Sequence, residues 1–200
     1  MAFNMDSPAK EKLEDILKKI PGFTKKQIQR TINYFIETSN EQINELFERI
    51  NTLKKETIKC EKCNVYSNSV ICEICQDKLR DKKLLIVENQ TDIKKFEELG
   101  VYKGKYFILE KLMDLKFENE IFKKNEQKLL TEAKKYDEII FALSATIEGQ
   151  LTTQYLQKKF RDILNVKNTY QLSIGIPLGL QVEYIDPITL KESLLNKTKL

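Results

Sequence analysis

Apolar residues recur at helical spacing through the first quarter of the chain. The first segment opens at Ser7-Pro8, with Ser7 suited to an N-cap and Pro8 to the first helical position, and Pro21-Gly22 ends it. Residues 39–42 fit a capping box, with Gln42 reaching back to the N-cap of a third helix. The predicted apolar faces are Leu13, Ile16, Leu17 and Ile20, then Ile28, Ile32, Phe35 and Ile36, then Ile43, Leu46, Phe47, Ile50 and Leu53. Residues 7 to about 55 therefore predict a compact helical unit.

Beyond about residue 80, short continuous apolar runs alternate with helical patterns. Because the runs are uninterrupted and of strand length, they indicate strands buried on both faces of a parallel sheet. The predicted strands are 84–87, 106–109, 138–143 and 170–174, with an edge strand at 182–186 after a turn at 176–179. The predicted helices are 91–99, which Gly100 ends, about 116–135, and about 148–165. This alternation predicts an α/β fold class.

All four cysteines lie in two C-x-x-C pairs, Cys60 with Cys63 and Cys72 with Cys75, separated by eight residues. Two such pairs place four thiolates around one tetrahedral ion, and sulfur ligands favour zinc, with iron as the lesser candidate. Since the chain has no histidine, the site is all-sulfur and closed, which suits a structural role. The alternative is a pair of disulfides, which needs an oxidising compartment.

Composition sets the class of protein more than its function. The 200 residues are 41% apolar and 32% charged, which allows one or two ordinary globular domains. Neither a membrane-spanning run nor a signal-peptide pattern is found, so the expected location is the cytoplasm, where thiolates persist. The net charge of +4 permits a polyanionic partner. Without histidine, no triad for nucleophilic catalysis can be assembled.

The Pro21-Gly22 turn joins two predicted helices in the manner of a helix-hairpin-helix element. Backbone N–H groups at the start of the second helix would face a phosphate of a nucleic acid. Lys25, Lys26 and Arg30, in the first turns of that helix, would add charged contacts. The alternative is a helical hairpin with a solvated basic face.

Three acidic residues follow predicted strands. Glu88 ends the first strand of the α/β region, Asp92 comes one turn later, and Glu148 lies just beyond the third strand. Open parallel sheets place functional groups at these strand ends, where three carboxylates could hold Mg²⁺ for phosphoryl transfer. The favoured interpretation is that Asp92 and Glu148 stabilise helix N-termini.

Taken in order from about residue 7 to 196, these parts resemble the bacterial recombination mediator family RecR. The resemblance rests on seven stretches in chain order. They are residues 20–22 together with Lys26 and Arg30; the four cysteines together with residues 76–81; residues 87–88 together with Asp92; residues 102–106; residues 147–149; residues 175–179; and residues 183–186 together with 189–190. It implies a helix-hairpin-helix DNA-binding unit over 1–55, a zinc finger over 56–80, a Toprim domain with a parallel sheet flanked by helices over 81–168, and a short C-terminal segment with oligomer contacts over 169–200.

The resemblance also implies a function without turnover. Members of the family form ring-like dimers or tetramers, bind DNA regardless of sequence, and act with RecO and RecF to load the recombinase RecA onto single-stranded gaps. Lys26 and Arg30 match the family's DNA-contacting positions. Glu88, Asp92 and Glu148 match its Toprim acidic positions, which serve partner contacts.

This chain departs from the family pattern at several positions. Thr24 stands where a second hairpin glycine is usual, and its side chain is expected to tilt the phosphate-facing backbone and weaken DNA binding. Phe107 and Ile174 replace histidines, Glu110-Lys111 replaces a glycine-rich turn, and Gln150 replaces an acid.

Two other hypotheses compete with a recombination mediator. One is a Mg²⁺-dependent Toprim enzyme, such as a nuclease or primase. Residues 143–146, which follow the third strand, lack the Asp-x-Asp pair typical of these enzymes, so a two-metal mechanism would lack its ligands. The other is a zinc-finger interaction module without a role on nucleic acid.

Overall fold

The computed structural model of the protein describes residues 7–114, 117, 119–164 and 168–197. The chain divides into two compact units, one ending at Glu56 and the other beginning at Thr57. The predicted helix start at 116 and the predicted helix end at 165 lie outside the described residues.

From residue 7 onward, the first unit consists of three helices, as predicted. They are α1 (Pro8–Leu17), α2 (Lys25–Glu37) and α3 (Asn40–Glu56). Ser7 caps α1 by accepting a hydrogen bond from the backbone N–H of Lys10, and Ser39 accepts one from the N–H of Gln42 at 3.4 Å. Both predicted N-terminal signals therefore lie where these helices begin.

The buried core of the first unit is small. It consists of Leu17, Ile28 and Ile32, with Leu13 packed against them. No residue of α3 is buried, and its predicted apolar face is largely exposed, with Phe47 58% and Leu53 65% accessible. The helical periodicity was thus a correct guide to secondary structure, but most of the α3 face is uncovered in the single chain.

The second unit is built on a four-stranded parallel sheet. Its helices and strands are β1 (Ile58–Lys59), β2 (Tyr66–Ser67), α4 (Glu73–Gln76), β3 (Lys83–Val87), α5 (Gln90–Leu99), β4 (Lys105–Ile108), α6 (Glu120–Ala133), β5 (Glu138–Ala142), α7 (Ile147–Leu164), β6 (Thr169–Gln171) and α8 (Pro187–Leu195). The sheet order is β4-β3-β5-β6, with every neighbouring pair parallel, while β1 and β2 form a separate antiparallel pair. The predicted α/β class is confirmed.

The sheet is buried on both faces, as its continuous apolar strands predicted. Side chains of one face pack with those of α6 and α7, including Leu129, Leu156 and Phe160. The opposite face packs with Ile93 of α5 and with all four cysteines. The cysteine segment therefore shares a hydrophobic core with the sheet.

The C-terminal segment differs from the prediction. Residues 182–186 do not form an edge strand: Val182–Tyr184 form one 3₁₀ turn, and α8 follows. Asp186 caps α8 by accepting hydrogen bonds from the N–H groups of Ile188 and Thr189, and Pro187 occupies the first helical position. Most of the run is therefore 3₁₀ turn and not extended strand, and its last residue, Asp186, caps the helix that Pro187 begins.

No helix in the described part of the chain has both the length and the apolar composition needed to cross a bilayer.

Candidate metal centre, basic hairpin and acidic sheet edge

The four cysteines converge on one point. Their Sγ atoms all lie within 4.8 Å of one another, and the residues are 0 to 5% exposed. The pair Cys63 and Cys72 has an Sγ–Sγ distance of 3.5 Å, much longer than the roughly 2.05 Å of a disulfide bond. Four sulfurs around a tetrahedral zinc at about 2.3 Å lie about 3.8 Å apart, so the set fits a metal ion.

Local backbone structure positions the two pairs. Cys60 and Cys63 lie in the turn between β1 and β2, where Asn64 adopts a left-handed φ of 64°. Asparagine tolerates this conformation better than most residues. Cys72 is the N-cap of α4, and Cys75 lies inside that helix. The N–H of Cys72 also donates to Sγ of Cys60 at 3.4 Å, which links the two pairs directly.

The sulfurs also influence one another electrostatically. Hydrogen bonding from the Cys63 thiol lowers the pKa of Cys72, and the same bond raises the pKa of Cys63. A thiolate at Cys72 is therefore favoured within the cluster. Since metal binds thiolates rather than thiols, Cys72 is the sulfur best prepared for ligation, whereas the pKa values of Cys63 and Cys75 are raised.

The hairpin residues lie together on an exposed surface. Lys25, Lys26 and Arg30 are all exposed near the start of α2, and within the described ranges none of them has an ion-pair partner. Ile28, between them in sequence, is buried in the core of the unit. The structure thus presents three uncompensated cations on the outer face of one helix.

Thr24 caps α2, which the sequence analysis missed. Its Oγ1 accepts a hydrogen bond from the N–H of Gln27 at 3.3 Å, while Oε1 of Gln27 accepts one from the N–H of Thr24 at 2.8 Å. The spacing of Thr24 and Gln27 is that of a capping box, so the signal was present in the sequence. Two backbone N–H groups at this helix start are therefore already hydrogen-bonded inside the protein.

The acidic residues are only partly brought together. Glu88 and Asp92 line one shallow pocket with Lys95, between α5 and the end of β5, and Glu148 does not line it. Glu88 accepts a hydrogen bond from the N–H of Ser144. Across the described ranges, the cysteines form the only cluster of potential metal ligands, so the three acids do not assemble into one metal site.

Asp92 and Glu148 lie in the first turns of helices, as the cap interpretation predicted. Asp92 accepts a hydrogen bond from the N–H of Asn89 at 3.1 Å and completes a capping box at α5. Glu148 is exposed in the first turn of α7. Next to it, Gly149 permits a close approach, since a Cβ there would lie 1.9 Å from the carbonyl oxygen of Ser144.

Comparison with known proteins defines the class to which the chain belongs, that of proteins with a Toprim domain. The Toprim domain model matches residues 82–170, and the model described as the C-terminal region of RecR matches residues 175–198. The chain is 40% identical to the recombination protein RecR of Mycoplasmopsis pulmonis over 182 residues, covering 90% of this chain and 93% of that protein.

Two further relatives match as completely. The recombination proteins RecR of Ureaplasma urealyticum and Dehalococcoides mccartyi are each 32% identical to the chain. The alignment with the Ureaplasma protein covers 95% of this chain and 96% of that protein. The alignment with the Dehalococcoides protein covers 93% of this chain and 92% of that protein. The chain belongs to the RecR family of recombination proteins.

Proposed function

We propose that the protein is a DNA-binding recombination mediator that acts with RecO, and with RecF where it is present, to load RecA onto single-stranded gaps. The observation that carries this proposal is the near full-length similarity to RecR proteins, which spans the hairpin, the cysteines and the acidic sheet edge. The cytoplasm is the proposed location, since reduced thiols persist there.

The basic hairpin is the proposed DNA contact. Lys25, Lys26 and Arg30 are exposed and, in the described part of the chain, without carboxylate partners, so their charge is available to phosphates. Contacts of this type bind any sequence and weaken as salt rises. The N–H groups of Lys25 and Lys26 supplement them at the helix start.

Zinc is the proposed metal. Cys60, Cys63, Cys72 and Cys75 would hold it as four thiolates, a closed set with no position left for water or substrate. The ion would stabilise the segment that covers one face of the sheet, and it would take no part in chemistry.

A homo-oligomer, in the form of a ring-like dimer or tetramer, is the proposed assembly. Two exposed apolar surfaces support it. One is the α3 face described above. The other is the C-terminal segment, where no residue from 171 to 197 is buried. Its apolar side chains Leu178, Val182, Ile188 and Leu194 are each more than 60% accessible. Surfaces of this kind on one chain are typical of protein interfaces.

The acidic sheet edge is the proposed contact for a partner protein. Glu88 and Asp92 line its pocket, and Glu148 lies in the helix that follows β5. Their carboxylates suit a basic surface on RecO or RecF better than catalysis, because Ser144-Ala145-Thr146 occupies the loop where Toprim enzymes carry acidic ligands.

One experiment tests the mediator against the enzyme. Gapped DNA coated with single-strand-binding protein is supplied with RecA and RecO, and RecA filament formation is measured with and without the protein. A mediator accelerates filament formation at stoichiometric amounts and leaves labelled DNA intact in Mg²⁺ or Mn²⁺. Cleavage or primer synthesis that is lost in Glu88→Ala, or no effect on RecA, would contradict the proposal.

A further inference from the structure

Two lysines from the sheet region contact the backbone of cysteine ligands. Lys128 of α6 donates from Nζ to the carbonyl oxygen of Cys60 at 3.1 Å. Lys105 of β4 donates from Nζ to the carbonyl oxygen of Cys75 at 2.9 Å. Both lysines are half-buried, and each C-x-x-C pair thus has one ammonium group against a ligand residue.

The position of Lys128 is fixed by a buried polar network. Its Nζ also donates to Oδ1 of Asn64 at 2.5 Å, and Nδ2 of Asn64 donates to the carbonyl oxygen of Ile108 and to Oδ1 of Asn125. Nδ2 of Asn125 in turn donates to the carbonyl oxygen of Leu109 at 2.9 Å. Both asparagines are 5% exposed. This network joins the turn of the first cysteine pair to the end of β4 and to α6.

These ammonium groups would offset the negative charge of a zinc ion bound by four thiolates. A zinc ion with four thiolates carries two net negative charges, and buried charge is unfavourable unless opposite charge or hydrogen bonds compensate it. Within the described residues, neither Lys105 nor Lys128 forms an ion pair with a carboxylate, so no acidic side chain offsets the positive charge that they bring to the cysteine residues.

We propose that Lys105 and Lys128 balance the charge of the metal centre, raise its affinity for zinc and couple zinc retention to the packing of the sheet. The inference rests on the zinc site proposed above and adds two residues that lie far from the cysteines in sequence. Groups of this kind, which contact ligand residues rather than the metal, typically change metal affinity 10- to 100-fold when mutated.

The test measures zinc affinity in the full-length protein. Zinc per chain is determined by elemental analysis, and Kd is then measured by competition with a chromophoric chelator. We expect Lys128→Met and Lys105→Met each to raise Kd by about 10- to 100-fold. Lys128→Arg, which keeps the charge on a larger, planar group, should raise Kd less than Lys128→Met does.

Matched controls separate this role from general charge and general stability. Lys124→Met removes an exposed charge one turn away on α6, and Lys62→Met removes one between the first two ligands; both should leave Kd unchanged. Cobalt-loaded Lys128→Met should keep the thiolate charge-transfer bands of the wild type, since the four sulfurs are retained. Relative to the wild type, Lys128→Met should lower Tm more in zinc-loaded protein than in protein treated with a chelator. A lysine with a purely structural role would lower Tm equally in both.

Each outcome has a separate meaning. An unchanged Kd in both lysine variants, equal effects in the controls, or equal losses of Tm with and without zinc would overturn the role of the two lysines. A wild-type protein that binds no zinc would overturn the metal centre itself, and elemental analysis detects that failure before any variant is compared.

Discussion

Thr24 shows how one side chain can replace the glycine of a family pattern. Its φ of −80° and ψ of 159° are extended values that any residue adopts, so the backbone is not strained there. Only Gly22, with a φ of 83°, requires glycine in this turn. The Thr24 side chain instead accepts a hydrogen bond from the N–H of Gln27, a group that would otherwise be free to bind a phosphate.

We expect Thr24→Gly to bind DNA more tightly, since the N–H of Gln27 becomes available. One added hydrogen bond of about 1 kcal/mol corresponds to about fivefold in Kd. Stability should fall by only a few tenths of a kcal/mol, because glycine is itself a tolerable N-cap. Fluorescence anisotropy with labelled duplex measures Kd. Thr24→Ser, which retains the cap, is the control, and equal affinities in the two variants would refute this explanation.

Glu97 stabilises the segment that follows the cysteines. Its carboxylate accepts hydrogen bonds from the Arg80 guanidinium at 2.6 and 2.8 Å and from the hydroxyl of Tyr106. Arg80 also donates to the carbonyl oxygen of Gly104 at 2.9 Å. The Arg80 guanidinium holds the pKa of Glu97 below its usual value, despite partial burial.

The stability contributed by Glu97 should therefore depend on pH. A lowered folded pKa means that the contribution is complete above the unfolded pKa of about 4.3 and is lost as pH falls through the lower folded value. At pH 7, Glu97→Gln should lose about 1 kcal/mol after allowance for solvent screening, or about 2 to 4 °C in Tm.

Thermal melts of wild type, Glu97→Gln and the exposed control Glu98→Gln, from pH 7 down to pH 3, check this. The gap between wild type and Glu97→Gln should begin to narrow as pH falls below the unfolded pKa of about 4.3 and continue to narrow through the lower folded value. A gap that does not narrow towards pH 3, or one that the control reproduces, would disprove the assignment.

The segment that carries the four cysteines is a part of the core as well as the proposed metal centre. Because its side chains cover one face of β3 and β4, loss of the metal should expose apolar surface of the sheet. Zinc binding in such sites contributes directly to folding free energy.

Cys72→Ser should therefore lose both zinc and stability. If only about 3 kcal/mol of the binding free energy is lost, Tm falls by about 6 to 12 °C. Elemental analysis and differential scanning calorimetry measure the two effects. Asn68→Ser, between the cysteine pairs, should match the wild type, and a Cys72→Ser protein with full zinc and unchanged Tm would exclude a structural metal centre.

The sequence predicted most elements because their signals are local. Continuous apolar runs identified the parallel strands, and C-x-x-C spacing identified the cluster. The C-terminal prediction failed because the apolar run at 182–186 has the pattern of a strand. Asp186 and Pro187 are instead the N-cap and the first residue of a helix, which the prediction did not include. The contact of Lys128 with Cys60 has no local signal, since α6 and the cysteine turn meet only through the tertiary fold.

The proposed functions of the protein depend on surfaces that are exposed in the single chain. The uncovered α3 face, the unburied C-terminal segment and the three hairpin cations are all available to other molecules in the single chain. The proposed ring would cover the apolar surfaces and repeat the cationic one. Repeated phosphate contacts around one DNA molecule would make binding strongly dependent on salt.

DNA binding across a salt series tests most directly whether the protein is a DNA-binding mediator. The zinc-loaded protein, alone and with RecO, is titrated against duplex and gapped DNA of unrelated sequences. Lys26→Ala/Arg30→Ala is compared with Lys54→Ala/Lys55→Ala, which removes the same charge from the exposed end of α3.

We predict sequence-independent binding that weakens with salt and strengthens with RecO. The hairpin variant should bind all sequences at least tenfold more weakly, with a flatter salt dependence, because about two phosphate contacts per subunit are lost. The α3 variant should bind like the wild type. No binding with or without RecO, or equal affinities of the hairpin variant and the wild type, would contradict the account.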